Sequence, residues 1–219
     1  MKKYLTEFIG TFFLVLAVCL TGIAGHPMAP LPIGASLMVM VYMGGHVSGG
    51  HYNPAVSLAV MIRGKLGAAD LVPYWISQLA GAVAAAAVAN IIMGKPLDGP
   101  APGKDSAGNI YPVHAALLVE ILYTFALALV VLNVATSKKT EGNSFYGLAI
   151  GFTIAAAAFC GGGVSGGAYN PAVGLGPNIW NASAAGGSLL HVWLYVVGPL
   201  AGAAVAAVVF KLQEEEEPA

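Results

Sequence analysis

The chain has 219 residues, of which 58% are hydrophobic and only 9% charged, whereas a soluble domain carries about 25% charged residues. So few charges cannot cover a water-facing surface, which excludes a soluble globular protein and points to an integral membrane protein. The net charge of -1 argues against nucleic acid as a partner.

At ~20 residues per helical span the length accommodates six or seven spans. In chain order, apolar helices are expected at residues 4–24, 32–46, 70–93, 113–135, 145–161 and 187–212. The first begins "MKKYLTEFIGTFFLVLAVCLTGIAG" and imitates a signal peptide, with "LAVC" close to a lipoprotein box. Glu7 lies too early in the apolar run for either signal, so a retained span is expected. Between the second and third spans, and again between the fifth and sixth, lie apolar pieces at residues 53–62 and 170–180 that are too short to cross. Short, Gly/Pro-interrupted segments at matching places in two halves point to a pore or binding site built from discontinuous helices. "GKPLDGPAPGKDSAGNIYP" (94–112) separates the halves, "TSKKTEGNSF" (136–145) is a polar turn, and "QEEEEPA" is an acidic, solvated end.

The fold class expected is an all-α membrane protein with six transmembrane helices and two re-entrant half-helices in an inverted 3+3 repeat. The first repeat covers 1–94, an extracellular linker 95–112, the second repeat 113–212 and an acidic cytoplasmic tail 213–219. The repeat is visible in two places. "EFIGTFFLVLAV" (7–18) corresponds to "EILYTFALALVV" (120–131), and "GGHVSGGHYNPAVSLAV" (44–60) matches "GGGVSGGAYNPAVGLGP" (161–177) at twelve of seventeen positions. Three spans per half is an odd number, so the second half enters the membrane from the opposite side. With the N-terminus inside, Lys2, Lys3, Arg63, Lys65, Lys138, Lys139 and Lys211 are cytoplasmic, and only Lys95 and Lys104 face outward. That bias places both termini in the cytoplasm.

The repeated phrase carries the chemistry. Asn is a strong N-cap and Pro suits the first helical position, so Asn53-Pro54-Ala55 and Asn170-Pro171-Ala172 each start a half-helix. The preceding Ser-Gly-Gly runs cannot be regular helix, and irregular backbone at membrane depth survives only inside protein or along a water-filled cavity. Each half-helix N-terminus carries about half a positive charge. Two such ends meeting at the midplane oppose protons and cations. The Asn53 and Asn170 amides are placed to donate to a passing neutral molecule. The carbonyls of Gly49, Gly50 and His51, and of Gly166, Gly167 and Ala168, are placed to accept from it.

Glu7 and Glu120 are costly inside spans, by ~2.5–3.5 kcal/mol for an acidic residue at a helix centre. A proton relay is one reading. Their twofold pairing favours a structural one, in which each accepts backbone N–H bonds from a dipping loop. Cys19 and Cys160 are expected to be buried thiols. The five histidines show no metal-ligand spacing, and neither metal nor cofactor is expected. "NAS" at Asn181 is a formal glycosylation sequon.

With its twin Asn-Pro-Ala motifs after Ser-Gly-Gly, "EFIGTFF", the Glu120 counterpart, Gln78 with Gly81, and "VVGPLAGA", the chain from about Tyr4 to Leu212 resembles the aquaporin, or major intrinsic protein, family. The resemblance implies two half-helices meeting at Asn53 and Asn170 and a homotetramer with one pore per subunit. It also places the outer selectivity filter at Ile33, Ala158, Gly167 and Val173. Most family members carry Arg where this chain has Val173, and Arg63 is the only arginine present. The filter implied is therefore aliphatic and wider than an aromatic/Arg filter. The function expected is a passive channel for water and other small neutral solutes (ammonia, hydrogen peroxide, urea or glycerol) that excludes ions and protons. Its expected setting is the lipid bilayer of a bacterial plasma (inner) membrane. Cys160 lies two residues beyond Ala158, which raises mercury block, although a lipid-side thiol is favoured. A secondary transporter with broken helices and a junctional protein with a nearly closed pore are the competing functions. No nucleophile–base pair suggests an enzyme.

Overall fold

The computed structural model describes residues 1–214, and eight helices carry the architecture of these residues. α1 (Lys2–Ala17) continues through a wide π-type turn at Val18–Ile23, and α2 spans Pro30–Ser48. The half-helix α3 covers Pro54–Ile62, and α4 (Ala68–Met93) completes the first half. In the second half α5 is Val113–Thr136, α6 is Tyr146–Ser165, the half-helix α7 is Pro171–Ala185, and α8 is Leu194–Gln213. Six of these are long and apolar enough to cross a membrane.

α3 has nine residues and so reaches ~14 Å at 1.5 Å per residue, about half of a ~30 Å hydrocarbon core. The halves interlock: α1 packs on α4 and α5 on α8, while α3 lies against α8 and α7 against α4. Small residues allow this closeness. A Cβ on Gly81 would run into the Phe8 carbonyl, and one on Gly202 into that of Ile121, the equivalent contact in the other half. A side chain at either glycine would push the helices apart.

Three boundaries differ from expectation. α7 continues through "NAS" to Ala185, because Gly186, at φ 70°, supplies the left-handed C-terminal cap. The last span starts at Leu194, since residues 187–193 are spent on the turn that reverses the chain. The acidic end is not simply frayed. Gln213 closes α8, and Glu214 pairs with Arg63 at 2.7 Å. The rest of that tail, residues 215–219, lies outside the described residues.

Candidate functional site: a twofold pore

Each Ser-Gly-Gly run turns the chain sharply. Gly49 and Gly50 take φ 90° and 64°, and Gly166 and Gly167 take 89° and 67°. Tyr52 and Tyr169 also sit at φ near 50°, a left-handed conformation that costs a non-glycine residue ~1–3 kcal/mol. Both tyrosines are over-determined by their surroundings. The Tyr52 hydroxyl donates to the Met40 carbonyl and that of Tyr169 to the Ala157 carbonyl, each at 2.9 Å.

The buried carboxylates hold the same turns. Glu7 accepts from the backbone N–H of His51 (3.0 Å) and Tyr52 (2.7 Å), from the Ser48 hydroxyl (2.6 Å) and from the Gln78 amide (2.8 Å). Glu120 accepts from the N–H of Ala168 (3.0 Å) and Tyr169 (2.6 Å) and from the Ser165 hydroxyl (2.7 Å). Both residues are fully buried and engaged with their loops. The halves differ at one point. In the first, His51 Nδ1, Ser57 Oγ and Gln78 Nε2 form a further cluster, with contacts of 3.1 and 2.9 Å. In the second, the matching places hold Ala168, Gly174 and Pro199.

The half-helices begin as the sequence predicts. Asn53 Oδ1 accepts the Ala55 N–H at 2.9 Å, and Asn170 Oδ1 accepts that of Ala172 at 2.8 Å. The amide nitrogens do something the sequence reading did not foresee. Asn53 Nδ2 donates to the Tyr169 carbonyl and Asn170 Nδ2 to the Tyr52 carbonyl, both at 2.9 Å. An amide has two N–H donors, so each Asn binds the opposite loop with one and keeps one for the cavity it lines.

That cavity runs past both asparagines. Its wall includes Ile33, Ala158, Gly167 and Val173, together with Gly50, His51, Ala168 and an aliphatic remainder. The wall follows the repeat: Leu14 pairs with Leu127, Val18 with Val131, Ile33 with Ile150, Leu37 with Ile154, and Val56 with Val173. Ala158 alone lacks its partner in the wall. Among the described residues, no Asp, Glu, Lys or Arg contributes to it. The centre of a water molecule has about 20 Å³ to occupy here, and by that measure one water needs ~10–15 Å³. Among the described residues, the carbonyls of Gly49, Gly50, His51, Gly166, Gly167 and Ala168 accept no hydrogen bond from the chain. Gly49 lies in the vestibule on one side and Gly166 in that on the other.

The vestibules are larger, about 340 Å³ on the Lys3, Lys65 and Asp70 side and about 350 Å³ on the other. The second is walled partly by Asp98, Gly99 and Pro100 of the linker. Sequence reasoning treated this segment as a spacer. It is tied down by Asn178 Nδ2 donating to the Pro100 carbonyl (3.1 Å), Asn181 Nδ2 donating to Asp98 (2.9 Å), and the Gly103 N–H donating to the Val164 carbonyl (3.0 Å). The Asn-rich stretch of α7 was the available signal. Asn181 is 6% exposed, inside a helix and engaged through its amide, so the sequon is not a free acceptor.

Cys19 is buried, as expected, but Cys160 is exposed. Successive helix residues rotate by ~100°, so Cys160, two positions past Ala158, faces away from the pore. Neither cysteine lines the cavity.

The model of the family described as Major intrinsic protein matches residues 1–210. The "Glycerol uptake facilitator protein-like 6" of Lactiplantibacillus plantarum is 38% identical, over 99% of this chain and 100% of its own. "Aquaporin Z" of Brucella melitensis is 35% identical, over 96% and 97%. The solved aquaglyceroporin of Plasmodium falciparum superposes with a TM-score of 0.81 at 22% identity, covering 95% of this chain and 94% of that one, a likeness in fold.

Proposed function

Since the chain belongs to the major intrinsic protein family, and is thus an integral membrane channel for water or small solutes and not an enzyme, we propose that it passes water together with ammonia, hydrogen peroxide, urea or glycerol. The observation that carries this reading is the wall at Ile33, Ala158, Gly167 and Val173, which lies along the cavity that both asparagines share and holds no charged side chain. Arg at the Val173 position would add a bulky permanent cation. Val leaves an aliphatic rim beside the open carbonyls of Gly167 and Ala168, so a neutral solute loses part of its hydration to a few acceptors and is not trapped. The glycerol facilitator named among the relatives supports the inclusion of a polyol.

Ion exclusion then rests on the midplane. The two half-helix N-termini there, with one N–H left on each Asn, present a field that opposes protons and cations. Glu7 and Glu120, saturated by loop donors, act as struts. We assign the two repeats to residues 1–94 and 113–212 and the linker to the outside, with both termini cytoplasmic by the Lys/Arg bias. The setting is a bacterial plasma membrane, with four copies each carrying its own pore. Osmotic-shock flux of reconstituted vesicles, water against each solute, tests the proposal. Water flux alone, or uphill accumulation driven by an ion gradient, would overturn it.

A further inference from the structure

The joint between the half-helices has a second side, away from the pore. There a wholly apolar crevice of about 150 Å³ opens between α4 and α8, walled by Pro54, Trp75, Leu79, Pro171, Val196 and Leu200 among others. Alignment of "SQLAGA" (77–82) with "GPLAGA" (198–203) makes Leu79 equivalent to Leu200 and Trp75 to Val196, just as Pro54 is equivalent to Pro171. The crevice therefore straddles the pseudo-twofold axis, which in an inverted repeat lies in the membrane plane at mid-depth. Its inner end, Pro54 and Pro171, is buried, while Trp75, Leu79, Val196 and Leu200 are partly exposed. The exposed Val72, Ile76 and Val197 carry the same apolar surface outward along α4 and α8. The crevice is thus continuous with the face these spans turn to lipid. It exists because the pair Trp75/Val196 is unequal. The indole, fixed by Nε1 donating to the Pro54 carbonyl at 2.9 Å, fills one side, and valine leaves the other open.

We propose that the crevice is a lipid site that takes the methyl end of one acyl chain. Water is excluded because a bound water needs two to four polar partners, and the wall provides none. Apolar cavities of about this size take up benzene-sized apolar guests, and leaving one empty forfeits dispersion contacts along its whole lining. Mid-depth is also where chain ends lie in a ~30 Å hydrocarbon core. The guest rests on the first residue of each half-helix, so it supports the Asn53–Asn170 joint from behind.

The test uses the full chain with Trp180→Phe and Trp193→Phe, leaving Trp75 as its tryptophan, in vesicles of phosphatidylcholine brominated either at the chain end or near the headgroup. Chain-end bromines should quench Trp75 more strongly, and Val196→Phe or Leu200→Phe, which fill the crevice, should remove most of that quenching. A density map of the unaltered protein in nanodiscs should show an elongated feature between Pro54 and Pro171. Chain-end quenching that survives both fillings means ordinary annular contact, and no quenching by either lipid means that a second copy of the chain covers the crevice. Either result, or an empty crevice in the map, overturns the proposal.

Discussion

Asn53 reaches across the midplane to the Tyr169 carbonyl at 2.9 Å, and Asn170 returns the bond to Tyr52 at the same distance. Each half therefore closes the other. Asn53→Ala removes an N-cap, worth ~1 kcal/mol, and orphans a buried carbonyl at ~1–3 kcal/mol. Its thermal midpoint in detergent should fall as for a loss of about 2–4 kcal/mol, and Asn170→Ala should fall by a similar amount. The two losses should not add, because both act on one joint. Additive losses would mean that the halves are held separately.

Glu120 presents its carboxylate oxygens to three donors. Glu120→Gln turns an –NH₂ toward one of them and should cost ~1–3 kcal/mol, read as a lower unfolding temperature. Water flux per folded channel should keep the same pH profile. A profile altered by this substitution would restore the proton-relay reading.

Val173→Arg should lower glycerol and urea flux several-fold while reducing water flux less, because the guanidinium narrows the wall facing Ile33 and Ala158 and adds a cation. Stopped-flow light scattering gives both numbers. Equal reductions would remove Val173 from the filter.

Mercury should leave the channel open, since Cys160 faces outward and Cys19 is packed away from the pore. Ala158→Cys should create block that a thiol reverses. Block of the unaltered protein would contradict the orientation of α6.

The spans, the half-helices and both caps were legible because they depend on local rules: apolar run length, Asn as cap, and Pro at the first helical position. The bonds from each loop to Glu7 and Glu120 follow the repetition, since both halves pair the same carboxylate with the same Ser-Gly-Gly turn. Two features were not legible. The second role of each Asn amide depends on how closely two loops separated by more than a hundred residues approach. The docking of Asp98–Pro100 into the outer vestibule depends on Asn178 and Asn181, whose side chains could equally have met lipid headgroups. The lipid-side face of Cys160, favoured over the pore from the sequence, follows from helical rotation past Ala158, although its exposure does not match a buried thiol. The aliphatic wall could also have been read by carrying the repeat beyond the motif: Val56 is the counterpart of Val173, and Ile150 that of Ile33.

The central claim is that an aliphatic rim without Arg lets small neutral solutes accompany water. The most direct measurement is stopped-flow permeability of proteoliposomes to water, ammonia, hydrogen peroxide, urea and glycerol, with membrane conductance recorded in parallel. The predicted result is fast water flux, with at least one of these solutes well above the protein-free rate and no ionic current. Fast water flux with every solute at the protein-free rate would contradict the claim.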